Sequence, residues 1–387
     1  MKQCLSIVLA VILTAAFAAT AQPRPTDSHQ PRQVILIIGD GMDEQQIAIA
    51  RNYLKGATGR LVMDGLPLRA TAQVLTIEDK VGGKPMYVAD SANTATSMAT
   101  GEITSRGRIA TAAGTDEDLT TIVQLAVAAG LNTGLVTTAS VTDATLAAFI
   151  AHINFRQCEN PSIVENVVFE TAVQDVSLGG CPQDARKNGG PGAISEQLAS
   201  SPVDIILGGG AKHFLVRAEA GSGTVLELAQ AQGFQTIGSL AQLQRSQPGR
   251  PVLGLFADSH LPVRLQGEGG RIAEQPKPSL LNRLHPYLGS VTLPETMVCE
   301  PNPGFGETPS LQQMTATALE HLSADSDEGF FLMIESASID KAAHKRDPCG
   351  SIGEVAQLEE ALQTALAFAN EHPQTLVLVT ADHTQAA

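Results

Sequence analysis

Positive charge is scarce in this chain. Of its 387 residues, 25 are Lys or Arg against 40 Asp or Glu, a formal net charge of −15. That balance argues against nucleic acid or an anionic membrane surface as partner. It still admits a small anionic substrate where local cations or metals reverse the field. After the N-terminal segment no second long apolar run occurs. There is no CxxC pair to support a cysteine-ligated zinc cluster, no internal repeat and no low-complexity tract. Gly208-Gly209-Gly210 lacks the following Lys and Ser/Thr of a phosphate-binding loop and reads as a turn.

What is present fits a folded globular protein. Hydrophobic residues make up 43% and charged residues 17%, and the length can bury a large core in one big α/β domain or two. Residues 1–21 read as a secretory signal: Lys2 carries the charge, 5–17 the apolar run, and Ala19-Thr20-Ala21 the cleavage site. Cys4 should leave with it. Residues 22–33 read as a flexible arm and 34–387 as the folded part. The mature chain is expected to be exported, periplasmic or secreted, and not held in a membrane. Cys158, Cys181, Cys299 and Cys349 remain, an even number for an oxidising compartment. Of three pairings, Cys158 with Cys181 and Cys299 with Cys349 closes the shortest loops.

Apolar runs of strand length alternate with helical patterns. Strands are expected at 34–38, 133–138, 203–207, 252–256, 330–334 and 375–379. Helices are expected at 44–54, 121–129, 144–153, 310–321 and 354–369. This alternation predicts a central, mostly parallel sheet with helices on both faces. Residues 262–303, rich in Pro and Gly, read as an irregular insertion.

Ligand sites in such sheets collect beyond the carboxyl ends of the strands. Asp40 follows the first strand, Asp143 and Thr145 the second, and Glu335, Asp340 and His344 the run at 330–334. Asp382 and His383 follow the last. Asp and His together suit zinc, and an oxygen-only set such as Asp, Thr and Glu suits magnesium. Asp340 and His344 are one helical turn apart, so both can face one ion. His152, on an apolar helix face, reads as structural. The stretch from Val88 to Ser97 offers Asp90 or Ser91 as a helix cap, placing a serine at the positive end of a helix dipole, where a phosphate is held.

Asp40-Gly41-Met42, Asp90-Ser91-Ala92, Thr142-Asp143-Ala144-Thr145, the 334–341 segment and Thr380-Ala381-Asp382-His383 resemble the successive signatures of bacterial alkaline phosphatases. The resemblance runs from about residue 34 to the end and includes the surroundings of Cys299 and Cys349. It implies the fold of that family, a three-layer α/β sandwich, and hydrolysis of phosphate monoesters through a phosphoserine. Ser91 would be the nucleophile, Arg156 would grip two phosphate oxygens, and Asp90 would brace that arginine. One zinc would take Asp40, Asp382 and His383; the other, Asp340 and His344. Magnesium would take Asp40, Thr145 and Glu335, with Asp143 reaching its waters and Lys341 contacting phosphate through water. The family's four mature cysteines fall at the same places, and a homodimer is implied.

The second zinc of the family also takes a histidine from a His-Thr-Gly segment after the Asp-His pair, and no such segment follows His383 here. The chain is therefore expected to be incomplete at its C-terminus. Competing readings are an impaired fragment, an exported metal- or phosphate-binding protein without turnover, and a related diesterase or sulfatase.

Overall fold

The computed structural model describes residues 31–384 except 170–173, 220 and 325–327. The signal expected at 1–21 and most of the arm expected at 22–33 lie outside the described residues, and Gln33 already belongs to a strand. Among the described residues, no helix is long and apolar enough to cross a membrane.

Seven strands form one sheet in which every neighbouring pair is parallel. Along the chain they are β1 (Gln33–Gly39), β2 (Asn132–Ser140), β3 (Ile205–Gly209), β4 (Gln235–Ile237), β5 (Val252–Leu255), β6 (Phe330–Ser336) and β7 (Thr375–Ala381). Their order in space is β7-β1-β6-β2-β3-β5-β4. Side chains alternate across the sheet, and both faces are buried. Ile38, Leu135, Ile206 and Met333 enter one core, while Ile37, Val136, Leu207 and Ile334 enter the other.

The helices that matter for the site are α1 (Glu44–Lys55), α2 (Ser91–Thr100), α3 (Ile122–Ala128), α4 (Ala144–Ala147), α5 (Leu311–Ser323), α6 (Ser338–His344) and α7 (Pro348–Glu371). Ala92, Val123 and Leu146 carry α2, α3 and α4 into the first core; Ala50, Leu311 and Val355 carry α1, α5 and α7 into the second. Helix, sheet and helix form three layers, as expected. Since all seven strands run the same way, their carboxyl ends lie along one edge.

Several elements differ from the sequence reading. The helix expected at 144–153 ends at Ala147. There the chain tightens, with Phe149 N–H donating to Leu146 O and Ile150 N–H to Ala147 O, so that Ile153 can exchange backbone bonds with Ile109. Gly208 and Gly209 belong to β3 and not to a turn. A Cβ on Gly209 would stand 1.9 Å from Ser259 O, and only Gly210, at φ +96°, leaves the strand. The helix expected from 354 starts at Pro348, with Asp347 as its cap. Within 262–303 the pieces are short, and Leu265–Gly267 pairs antiparallel with Cys299–Pro301. Both disulfides form as expected, Cys158–Cys181 and Cys299–Cys349.

Candidate active site

β1, β7 and β6 lie side by side, so the residues just beyond their carboxyl ends meet at one place. Asp40 follows β1 and is buried. Asp382 and His383 leave β7 in a bend, which lets two adjacent side chains converge. That bend is held by Asp382 Oδ1, which accepts from Gly41 N–H at 3.0 Å and from His383 N–H at 2.8 Å. Thr94 Oγ1 of α2 lies 3.5 Å from the other Asp382 oxygen. Glu335, in β6, accepts from Thr137 Oγ1 of β2 at 2.6 Å.

Ser91 is the first residue of α2. Asp90 is its N-cap, closing a capping box in which Asn93 N–H donates to Asp90 Oδ1 and Asp90 N–H to Asn93 Oδ1. The Ser91 hydroxyl is buried at the positive end of the helix, donating to Asp40 Oδ1 at 3.3 Å and standing 3.1 Å from His383 Nε2.

Around it lies a dense set of buried acids. Donor atoms of Asp40, Asp340 and His383 all fall within 4.8 Å of one another. Burial, followed by the charges of Asp382 and Asp340, pushes Asp40 well above the ordinary carboxylate range. Burial pushes Asp382 up to about 6 and, with Asp40 beside it, Glu335 up to about 8. Asp340 Oδ1 is buried with no hydrogen-bond partner. An orphaned oxygen on one member of a group of donors, set among mutually repelling acids, fits a bound cation. The imidazole in the set favours zinc over a purely oxygen-seeking ion.

One of the expected ligands stands apart from that group. The His344 side chain is 70% exposed, with Nε2 3.4 Å from Asp340 Oδ2. The tight group thus joins Asp340 to Asp40 and His383, with His344 outside it. Thr145 is buried in the first turn of α4, the helix that Asp143 caps.

The cations form a second layer. Arg156 donates from one nitrogen to Asp90 Oδ2 at 3.3 Å and from another to Asp143 Oδ1 at 2.9 Å. Lys341 Nζ donates to Asp143 Oδ2 at 2.6 Å. Burial alone would raise Asp143, but Lys341 and Arg156 outweigh it and hold the carboxyl well below its usual range. Burial opposes the charge of Arg156, and Asp143 and Asp90 more than restore it.

Sequence reasoning passed over three contributors. Thr137, in β2, and Thr94, in α2, reach acids on other elements. His260, beyond β5, has Nδ1 3.9 Å from Asp143 Oδ2 and accepting from Ser140 N–H. Burial first, then Lys341, lowers it to about 4, so its ring is neutral. Its position past a strand end was the available signal. His152 lies 3.0 Å from Leu119 O through Nε2, a backbone contact in keeping with a structural role.

A family model for alkaline phosphatases matches residues 31–387. The chain is 40% identical to streptomycin-6-phosphate phosphatase of Streptomyces griseus, over 99% of this chain and 80% of that one. It is 42% identical to alkaline phosphatase of Escherichia coli, over 95% of this chain and 73% of that one. Among solved structures, alkaline phosphatase of Thermus thermophilus aligns with TM-score 0.64 and 26% identity, covering 98% of this chain and 65% of the other. The cold-active enzyme of Shewanella sp. aligns at 0.63 and 27%, covering 92% and 69%. The family match runs to Ala387, and the chain spans 80% and 73% of the length of the two curated relatives. The chain belongs to the alkaline phosphatase family and is a phosphoric monoester hydrolase.

Proposed function

We propose that the chain hydrolyses phosphate monoesters in two displacements at Ser91, using two zinc ions and one magnesium ion per subunit. The observation that carries this reading is the approach of the buried Ser91 hydroxyl to Asp40 and His383, at 3.3 and 3.1 Å, next in sequence to Asp90, which with Asp143 holds an arginine. Asp40, Asp382 and His383 would hold one zinc, Asp340 and His344 the other. Asp40, Thr145 and Glu335 would hold magnesium, with Asp143 reaching its waters. When bound, these ions supply positive charge to the reacting oxygens and lower the pKa of the attacking hydroxyl and water.

Ser91 Oγ forms a bond to phosphorus as the bond from phosphorus to the alcohol oxygen breaks, and the serine proton leaves with the alcohol. Water then attacks the phosphoserine; one of its protons returns to Ser91, and inorganic phosphate departs. Arg156 presents two donors to the non-reacting phosphate oxygens. Asp90 and Asp143 fix its plane before substrate arrives, so little ordering remains to be done on binding. Lys341 adds positive charge from the other side of Asp143. Residues 34–387 form the catalytic domain, working as a homodimer. Export to the periplasm or medium by the 1–21 signal agrees with two disulfides.

The test is acid quenching during turnover of a labelled monoester. Label should stay on the protein at Ser91, and Ser91→Ala should abolish it together with turnover. Dialysis against a chelator should remove activity, and zinc with magnesium should restore it. Turnover that survived either treatment would overturn the reading.

A further inference from the structure

Residues 105–111 run between two parts of the site and are bonded to both. Gly107 N–H donates to both Asp90 oxygens, at 3.1 and 3.2 Å, while its carbonyl accepts from Arg156 N–H at 2.7 Å. The left-handed φ of +82° at Gly107 points the two groups this way. Thr96, on the helix that Ser91 opens, donates through its hydroxyl to Arg108 O at 3.1 Å and accepts from Ala110 N–H at 2.9 Å. Ile109 and Ile153 exchange backbone bonds of 3.0 Å. One stretch of chain is therefore stapled to the Ser91 helix on one side and to the Arg156 segment on the other.

The Arg108 side chain anchors that stretch. It is 5% exposed. Its fork takes both oxygens of Asp79, at 2.8 and 3.1 Å, and reaches Asp116 at 2.7 Å. The remaining nitrogen donates to Asn154 Oδ1 at 2.9 Å, two residues before Arg156. A guanidinium is expensive to bury, and here each of these partners lies on a segment flanking the staple. Its bonds go to these groups and to the hydroxyls of Ser105 and Thr111, away from Ser91 and the acids around it. Whatever Arg108 does for the reaction it therefore does by placement.

We propose that Arg108 is a positioning residue for the reaction: tied to Asp79, Asp116 and Asn154, it holds the 105–111 staple that sets the spacing between Ser91 and the Arg156 guanidinium. This rests on the reading of Ser91 as nucleophile and Arg156 as phosphate ligand.

The experiment is a double-mutant cycle of Arg108→Gln and Arg156→Ala in the full chain loaded with zinc and magnesium. It reads kcat and KM for p-nitrophenyl phosphate and the inhibition constant of inorganic phosphate. Arg108→Gln alone should raise KM and the phosphate inhibition constant about tenfold, with a smaller change in kcat. In the Arg156→Ala background the same change should alter both by less than about twofold, because the group being placed is gone. Arg108→Lys, which keeps the charge and loses the fork, should fall between wild type and Arg108→Gln. Equal fold losses in both backgrounds, or unchanged phosphate inhibition in the single variant, would overturn the proposal. If Arg108→Gln does not fold, Asp116→Asn loosens the same anchor from the surface and replaces it in the cycle under the same criteria. Arg156→Ala that binds phosphate like wild type would instead overturn the underlying reading of Arg156.

Discussion

The Arg156 guanidinium is strung between two carboxylates, Asp90 and Asp143, and in the proposed mechanism its fork is what an incoming phosphate meets. A lysine at this place keeps the charge but has one nitrogen, which cannot satisfy both acids and still offer two parallel donors. Arg156→Lys should therefore raise KM for p-nitrophenyl phosphate about tenfold, roughly 1.4 kcal/mol of binding, with kcat falling less. Steady-state kinetics at fixed ionic strength checks this, and an unchanged KM would show that the fork is not used. Asp40, Asp340, Asp382 and His383 were legible in the sequence because parallel strands deliver the residues beyond their carboxyl ends to one edge. The residues that hold the acids were not. Thr137 is one of several hydroxyl residues in its strand, so nothing singles it out, and its contact with Glu335 spans 198 residues of sequence. His260 lies between the strand expected at 252–256 and the stretch at 262–303, and nothing beside it in the sequence points to Asp143, 117 residues earlier.

At the scale of elements, the strands were legible because burial on both faces demands unbroken apolar runs. The ends of helices were harder to read. α7 begins at Pro348 because proline suits a first helical position and Asp347 caps it, yet Gly350 and Gly353 in its first turns look like loop residues in sequence alone. Gly353 lets the chain pack closely here: a Cβ there would meet Leu265 at 3.0 Å. Beside it Glu354 is buried, accepting from Arg264 N–H at 3.2 Å and from Gln357 Nε2 at 2.8 Å. Burial raises its carboxyl from 4.5 to about 7. A raised acid favours the folded state while protonated. Between pH 4.5 and 7 the unfolded chain gives up this proton and the folded chain keeps it, so stability falls as pH rises. Above pH 7 both forms are ionised and the loss is complete, up to about 3 kcal/mol. Glu354→Gln keeps an accepting oxygen and does not titrate. It should match wild type below pH 4.5, gain on it up to pH 7 and stay ahead by a constant margin above. Urea melts at about pH 5 and about pH 8 check this; an equal margin at both would remove titration as the cause.

For the whole molecule, the two disulfides are unequal in what they tether. Cys158–Cys181 spans 23 residues and Cys299–Cys349 spans 50. In the chain-entropy account the shorter loop is worth about 3 kcal/mol and the longer about 4 kcal/mol. Their places in the fold separate them further. Cys158 lies two residues past Arg156, and Cys158 N–H donates to Phe155 O, so the first bridge closes the turn that carries the arginine proposed to grip phosphate. The second joins the irregular insertion to the first turn of α7, away from that arginine. Replacing each pair by alanine should therefore split stability from binding. Cys299→Ala with Cys349→Ala should cost more in urea-melt stability while leaving phosphate inhibition within about twofold of wild type. Cys158→Ala with Cys181→Ala should cost less stability and weaken phosphate inhibition by more than that, because a loosened turn lets Arg156 drift from Asp90 and Asp143. Melting and inhibition measured on the same preparations decide it. If both pairs lost stability and phosphate affinity in the same proportion, the bridges would act on the fold as a whole, and the special link between Cys158 and Arg156 would fall.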